Sequence, residues 1–281
     1  MKEPQVFLMN LARQAGMIML KHYRQPVAIH HKDDGTPVTE VDLAISKMVC
    51  REVKQHFPGY GLLSEETNGQ FQLGERGFIV DELDGTSAFI RRKGGFAFQA
   101  AYYEDYDQIT TAVIYDPQRD LMLCAERGKG VELIAREKSL KISPMPVRKW
   151  EYLRFAHHRR LMHPTHRRIY DHLQLKAEQI VSTGCVAAKI FDFVLGRVDA
   201  LIALNRFIAP WDWAPAQVIL SELNYGLCHL NGEPFHLYDE RGPDSFGYLV
   251  APDVHLNTLV DQLNWIREKV RREREVVRSV R

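Results

Sequence analysis

Two short acidic stretches carry the most concentrated chemistry in this 281-residue chain: Ser64-Glu65-Glu66-Thr67, and Phe78-Ile79-Val80-Asp81-Glu82-Leu83-Asp84-Gly85-Thr86. In the second, an apolar run ends in carboxylates and then a glycine, the pattern of a buried strand running into a tight turn. At such a strand end Asp81 and Asp84 face each other across the turn. Unpaired carboxylates there are raised in pKa or neutralised by a cation. Ligands that are all oxygen suit Mg2+, Mn2+ or Ca2+ rather than zinc.

A third piece lies far downstream in Ala209-Pro210-Trp211-Asp212-Trp213-Ala214-Pro215-Ala216, just before the apolar Val218-Ile219-Leu220. Asp212 reads as a helix N-cap or first-turn acid. It reads also as a metal ligand carried on a helix start, and the two readings are compatible. Upstream, Thr39-x-x-Asp42 has capping-box spacing, so Thr39 opens a helix to about Phe57 with Val41, Ile45, Met48 and Val49 on its buried face. By themselves Asp42 is a helix cap and Thr86 a turn hydroxyl. Gly85 lets the backbone come close to a ligand, and Asp-Gly is also a frequent turn pair.

These pieces need elements to hold them. Residues 4 to 23 repeat apolar side chains at helical spacing, and Val27 to His30 is extended. Strands are expected at 61–63, 78–80, 97–103, 109–115 and 121–124, an antiparallel meander with a turn at Asp116-Pro117-Gln118-Arg119-Asp120. From 149 onward the pattern alternates: extended at 152–156, 179–181 and 198–204, helical at 164–173, 186–195 and 214–223. Such alternation marks an α/β half. The last segment, 254–280, is helical and ends in a charged run that reads as a solvated face. The expected division is 1–148, with the acidic motifs, and 149–281, with the Trp-Asp motif.

Charge is nearly balanced at a formal +1, which gives no global bias toward a nucleic-acid polymer. Cys50, Cys124, Cys185 and Cys228 are scattered without Cys-x-x-Cys spacing and read as reduced core residues of a cytoplasmic protein. Arg13 and Lys21 interrupt the apolar N-terminal stretch, so neither a signal peptide nor a membrane span is expected.

Taken in order, Pro37-Val38-Thr39-Glu40-Val41-Asp42, Leu63-Ser64-Glu65-Glu66, Asp81-Glu82-Leu83-Asp84-Gly85-Thr86 and Trp211-Asp212-Trp213-Ala214-Pro215-Ala216 resemble the motifs of the inositol monophosphatase superfamily. These are Mg2+-dependent, lithium-sensitive phosphatases. Each motif alone is weak, but the order and separations fit from about residue 5 to residue 260. The resemblance implies a layered αβαβα sugar-phosphatase-like sandwich, with an N-terminal α+β half and a C-terminal α/β half. It implies two or three Mg2+ ions held by Glu65, Asp81, the Leu83 carbonyl, Asp84 and Asp212. A pair of such ions can hold the attacking and leaving oxygens of an in-line phosphoryl displacement. Asp42 and Thr86 would orient or deprotonate the attacking water with help from Glu65, while Gly85 and Thr86 would present N–H groups to the phosphate. By the same analogy the chain is a homodimer.

Two departures fall beside this chemistry. Glu82 stands where the family has a proline, whose fixed φ would stiffen the turn, and Pro215 replaces an alanine. The expectation is a less rigid turn, with an extra carboxylate that lowers phosphate affinity. Cys185 falls in the loop that touches substrate in the family. Asn205 and Arg206 replace the acid that inositol-specific members use to hold a sugar hydroxyl. Arg159, in His157-His158-Arg159-Arg160, falls where nucleotide 3'-phosphatases of the family carry a basic-polar loop, and arginines recognise phosphate bidentately. The motif forms are similar to those of 3'-phosphoadenosine 5'-phosphate phosphatases. The leading expectation is therefore a phosphomonoesterase acting on a 3'(2'),5'-bisphosphate nucleotide. The alternatives are an inositol or sugar monophosphatase, and a binding protein with an impaired site. A small-molecule phosphate ester is the expected partner, with no nucleic-acid polymer and no membrane.

Overall fold

The computed structural model describes residues 3–33, 35–67, 74–105, 108–136, 138–158, 164–204, 208–237 and 247–265. The chain divides into two compact units, one of residues 1–145, 184–195 and 209–223, the other of 146–183, 196–208 and 224–281. The second unit starts close to the boundary expected at 148. Two later segments, however, return to the first unit.

The first unit is built on helices α1 (Pro4–His22), α2 (Glu40–His56) and the short α3 (Thr86–Ile90), with the small hairpin β1 (Ile29–His31) and β2 (Pro37–Thr39) between α1 and α2. Strands β3 (Gly61–Ser64), β4 (Gly77–Asp84), β5 (Ala97–Glu104), β6 (Gln108–Asp116), β7 (Leu121–Glu126), β8 (Gly130–Ala135) and β9 (Lys138–Ile142) form one sheet in sequence order. From β4 to β9 every pairing is antiparallel, the meander read from the sequence; β3 joins β4 in parallel. Strands β8 and β9 were not anticipated. Their short runs carry Glu132, Lys138 and Lys141, and β9 is an exposed edge, so neither shows a strong apolar alternation.

One face of this sheet is sealed by α1 and α2. Phe7, Leu8, Leu11 and Met19 from α1 and Val41, Ile45, Val49 and Val53 from α2 pack with Phe78, Val80, Phe98, Ala100 and Val113. Gly16 permits the close approach of α1, since a Cβ there would overlap the Tyr115 ring. Alternation along the strands sends Ile79, Ala101, Ile114 and Leu123 to the other face, where they are also buried. Helix α6 (Pro210–Ser221) lies against β4 to β7 and beside α5 (Val186–Val194). α6 begins four residues earlier than the periodicity indicates, because Pro210 can occupy the first helical position.

The second unit holds a five-stranded sheet of β10 (Phe155–His158), β11 (Ile180–Thr183), β12 (Ala200–Ala203), β13 (Tyr225–His229) and β14 (Tyr248–Pro252), ordered β11-β10-β12-β14-β13. β10 pairs in parallel with β11 and β12, the α/β signature, while β13 and β14 are antiparallel additions that the sequence reading lacked. Helix α4 (Pro164–His172) contributes Ile169 and Tyr170 to a core with Phe155, Ile202 and Leu249. Another helix starts at 253 and is described to 265, inside the helix expected at 254–280. No described helix is long and apolar enough to cross a membrane.

Candidate functional site

The acids of the motifs are carried by elements of the first unit. The capping box at the start of α2 is present as its spacing indicates: Thr39 Oγ1 accepts from Val41 N (3.1 Å), and Asp42 Oδ2 accepts from Thr39 N (2.8 Å) and Thr39 Oγ1 (2.5 Å). Both residues are buried, so the cap also fixes the free oxygen of Asp42. That oxygen, Oδ1, lies 3.3 Å from Thr86 Oγ1. The Thr86 hydroxyl is also 3.0 Å from Leu83 O. Its single proton is therefore shared between a carbonyl and a carboxylate.

β4 reaches the turn through an irregularity. Asp81 pairs with Gln99 but Asp84 with Ala97, so one extra residue is inserted on β4 between them. Such a bulge reverses the alternation locally. It brings Asp84 onto the face that Asp81 occupies, and Leu83 packs into the core on the α1–α2 side. Asp81 Oδ1 accepts from Leu83 N (3.0 Å) and Oδ2 from Gln99 Nε2 (3.1 Å). Asp84 Oδ2 accepts from the backbone N of Ala187, in the first turn of α5, at 2.6 Å. Gly85 follows in the left-handed region (φ 88°, ψ 30°), where a Cβ would come within 2.8 Å of Gly95 O. Asp212 sits in the first turn of α6 with Oδ2 accepting from Ala209 N (3.0 Å). Pro215 falls inside the same helix.

These carboxylates sense one another. Burial holds the Asp81 carboxyl well above the usual range, and the charges of Glu65, Asp84 and Asp212 push it further. Burial also raises Asp84, against the nearby Cys185 thiol and the backbone hydrogen bond from Ala187. Burial pushes Asp212 up to about 7, assisted by the charges of Asp84 and Glu65. Burial raises Asp42 as well, against its bonds from Thr39.

Two lysines absent from the sequence reading belong to this neighbourhood. Lys32 bridges Glu65 and Glu66 at 2.8 Å each, and their charges outweigh its burial to raise its pKa. Lys189 sits one helical turn after Cys185, with its backbone N–H donating to Cys185 O (3.1 Å), and is almost fully buried. Burial lowers its pKa, while Cys185, Asp84 and Asp212 pull the other way. Its ammonium makes no hydrogen bond or ion pair with any described residue. Nothing in the local sequence marks Lys32. A lysine among apolar residues in a buried helix was the available signal for Lys189.

Glu82 corrects an expectation. It is fully buried, and Ser64 Oγ donates to its Oε1 at 2.6 Å, so the side chain is held within the protein rather than offered to a phosphate. Burial pushes its pKa up to about 8, which leaves it largely uncharged at neutral pH. The other oxygen, Oε2, has no partner among the described residues. Cys185 is brought to the turn, with Sγ donating to Gly95 O at 3.1 Å. Arg159, Asn205 and Arg206 lie outside the described residues.

Among the described residues, no three of His, Cys, Asp and Glu are grouped closely enough to hold a metal ion. The donor chemistry nonetheless fits a hard cation: Glu65, Asp81, Asp84 and Asp212 are oxygen donors whose charges disfavour one another, and the buried Oε1 of Gln99 beside Asp81 has no partner among the described residues.

A model described as the inositol monophosphatase family matches residues 1–262. The chain belongs to the inositol monophosphatase family. It is thereby a phosphoric monoester hydrolase, and its fold is that of the family. Among relatives, the "Nus factor SuhB" of Xylella fastidiosa is 29% identical over 269 residues, covering 94% of this chain and 95% of its own. The "inositol-1-monophosphatase" of Bacillus subtilis is 26% identical over 229 residues, covering 79% and 84%. The solved IMPase of Thermotoga maritima superposes with a TM-score of 0.77 at 22% identity, covering 94% of this chain and 98% of that one. A 2'AMP-bound SaIMPase-II superposes with a TM-score of 0.73 at 22% identity, covering 94% and 98%.

Proposed function

We propose that this family member is a Mg2+-dependent phosphomonoesterase whose substrate carries more than one anionic group, with a 3'(2'),5'-bisphosphate nucleotide ahead of inositol and sugar phosphates. The observation that carries this reading is the charge pattern about Asp84. Three further carboxylates raise the electrostatic cost of Asp81, while Lys189 stands beside them with no hydrogen bond to its ammonium among the described residues. The first condition calls for a cation. The second offers a donor to an anionic oxygen of the substrate, since this ammonium has Asp84 and Asp212 near it but no hydrogen bond among the described residues.

Glu65, Asp81, the Leu83 carbonyl, Asp84 and Asp212 would hold the metal. When bound, it supplies positive charge against the phosphoryl oxygens and the departing oxygen. The chain's own groups do the rest. Thr86 accepts a hydrogen bond from the attacking water and, as it takes that proton, passes its own to Asp42, which holds it; Lys189 and Cys185 line the side of the turn formed by α5; Gly85 keeps that turn open to a phosphate. The motif forms and the 2'AMP bound by the neighbouring SaIMPase-II support a nucleotide. Arg159, Asn205 and Arg206 would contact the remainder of the substrate. A cytoplasmic homodimer inhibited by lithium completes the proposal by resemblance to the family.

The test is phosphate release across nucleotide bisphosphates, inositol 1-phosphate and sugar phosphates, with Mg2+ titrated and lithium added. Absence of hydrolysis from every ester at millimolar Mg2+ overturns the reading; preference for inositol 1-phosphate overturns only its substrate. A binding role is the second reading, favoured by the relatives named as Nus factors. Ligand binding without turnover would support it.

A further inference from the structure

We propose that Glu82 is a positioning residue that ties together the two strands bearing Asp81, Asp84 and Glu65. This goes beyond the phosphatase reading, on which its activity test rests. The position is one where the family pattern has proline, a residue that cannot make such a tie.

The geometry is specific. Glu82 lies inside the β4 bulge, between Asp81 and Asp84, and is fully buried. Its Oε1 accepts from Ser64 Oγ at 2.6 Å. Ser64 is the last residue of β3 and pairs with Val80; the next residue, Glu65, continues the pairing by donating its N–H to Val80 O at 3.2 Å. Beyond that bond the backbone ladder ends. The Glu82–Ser64 contact extends it by one rung, through side chains, at the point where Glu65 must be aimed. On its other side lies α2, where Cys50 is near enough for a charge on Glu82 to act on its thiol. A single carboxyl thus joins β4, which carries Asp81 and Asp84, to β3, which leads to Glu65.

The cost identifies the role. Oε2 has no partner among the described residues, so this carboxyl is buried only partly satisfied. An apolar residue of similar size would suit the core as well or better. A group retained only to fill space would not be a carboxylic acid.

The experiment uses the full chain with Glu82→Met, Glu82→Gln and Ser64→Ala, and reads melting temperature, Mn2+ affinity by calorimetry, and kcat and KM separately. The expected result is that Glu82→Met melts at or above the wild-type temperature yet loses about tenfold in Mn2+ affinity and kcat with KM little changed. Glu82→Gln, which keeps the acceptor oxygen, should restore both. Ser64→Ala should reproduce the loss, and the double variant should be no worse than either single one. If Glu82→Met does not fold, Ser64→Ala decides alone. Wild-type Mn2+ affinity and kcat in Glu82→Met or Ser64→Ala, or a Glu82→Gln as defective as Glu82→Met, overturns the proposal while leaving the phosphatase reading in place. A wild type that binds Mn2+ but releases no phosphate removes the phosphatase reading, and the affinities still judge Glu82. A wild type that does neither overturns both.

Discussion

The hydroxyl of Thr86 lies 3.3 Å from Asp42 Oδ1 and 3.0 Å from the carbonyl of Leu83, so one proton is poised between two acceptors on different elements. When that proton turns to Asp42, the Thr86 oxygen has lone pairs free for a water. Thr86→Ala and Asp42→Asn should each lower kcat by about 10²–10⁴-fold, the usual range for losing a positioned proton acceptor. Thr86→Ala should leave the circular dichroism spectrum unchanged. Retention of kcat within a few-fold would remove the pair from the chemistry.

Mutual repulsion among the buried acids gives stability a definite sign. In a chelator, Asp212→Asn should melt higher than the wild type, because one of the charges acting on Asp81 and Asp84 is gone. Added Mg2+ should raise the wild-type melting temperature, with a gain of about 2.7 kcal/mol at a hundred times the dissociation constant. The same addition should move Asp212→Asn much less. Equal Mg2+ shifts in both proteins, read by differential scanning calorimetry, would exclude Asp212 as a ligand.

Gly85 combines a left-handed φ of 88° with a Cβ position 2.8 Å from Gly95 O. Gly85→Ala should cost about 1–2 kcal/mol for the backbone conformation alone, and more for displacing Gly95. The displaced turn should also disturb Thr86, so kcat should fall further than stability does. Urea denaturation and steady-state kinetics on the same preparation provide the comparison.

All four thiols are free, and burial pushes Cys124 up to about 12 and Cys228 up to about 11 from an ordinary value of 9.0. The neutral thiol is thus the form the fold favours. Its stabilisation is complete below pH 9 and is lost as pH rises through 11 to 12. Alkylation of Cys124 and Cys228 by iodoacetamide in the native protein should stay slow up to pH 9 and become fast in denaturant. Rapid native labelling at pH 8, located by mass spectrometry, would contradict this.

Much of this was legible in the residues. Thr39 and Asp42 announce their capping box, and β4 to β7 announce themselves by apolar alternation, because both signals are local. The bulge between Asp81 and Asp84 is not local, since it depends on how β4 pairs with β5. For that reason the spacing alone left open which way Glu82 points. Lys32 and Lys189 acquire meaning only when Glu65 and Asp84 come near them from distant segments. Strands β13 and β14 escaped notice because Gly226, His229 and Pro252 weaken their apolar pattern, while pairing with each other and with β12 stabilises them.

The return of α5 and α6 to the first unit sets a timetable for synthesis. A ribosome that has released the first 148 residues has made every strand of the larger sheet, yet the helix that lies against β4 to β7 is still to come. At about 5–20 residues per second, several seconds pass with that apolar surface uncovered in the nascent chain. During this interval the emerging polypeptide is a natural client for chaperones, and a ribosome stalled before α6 would leave an aggregation-prone fragment.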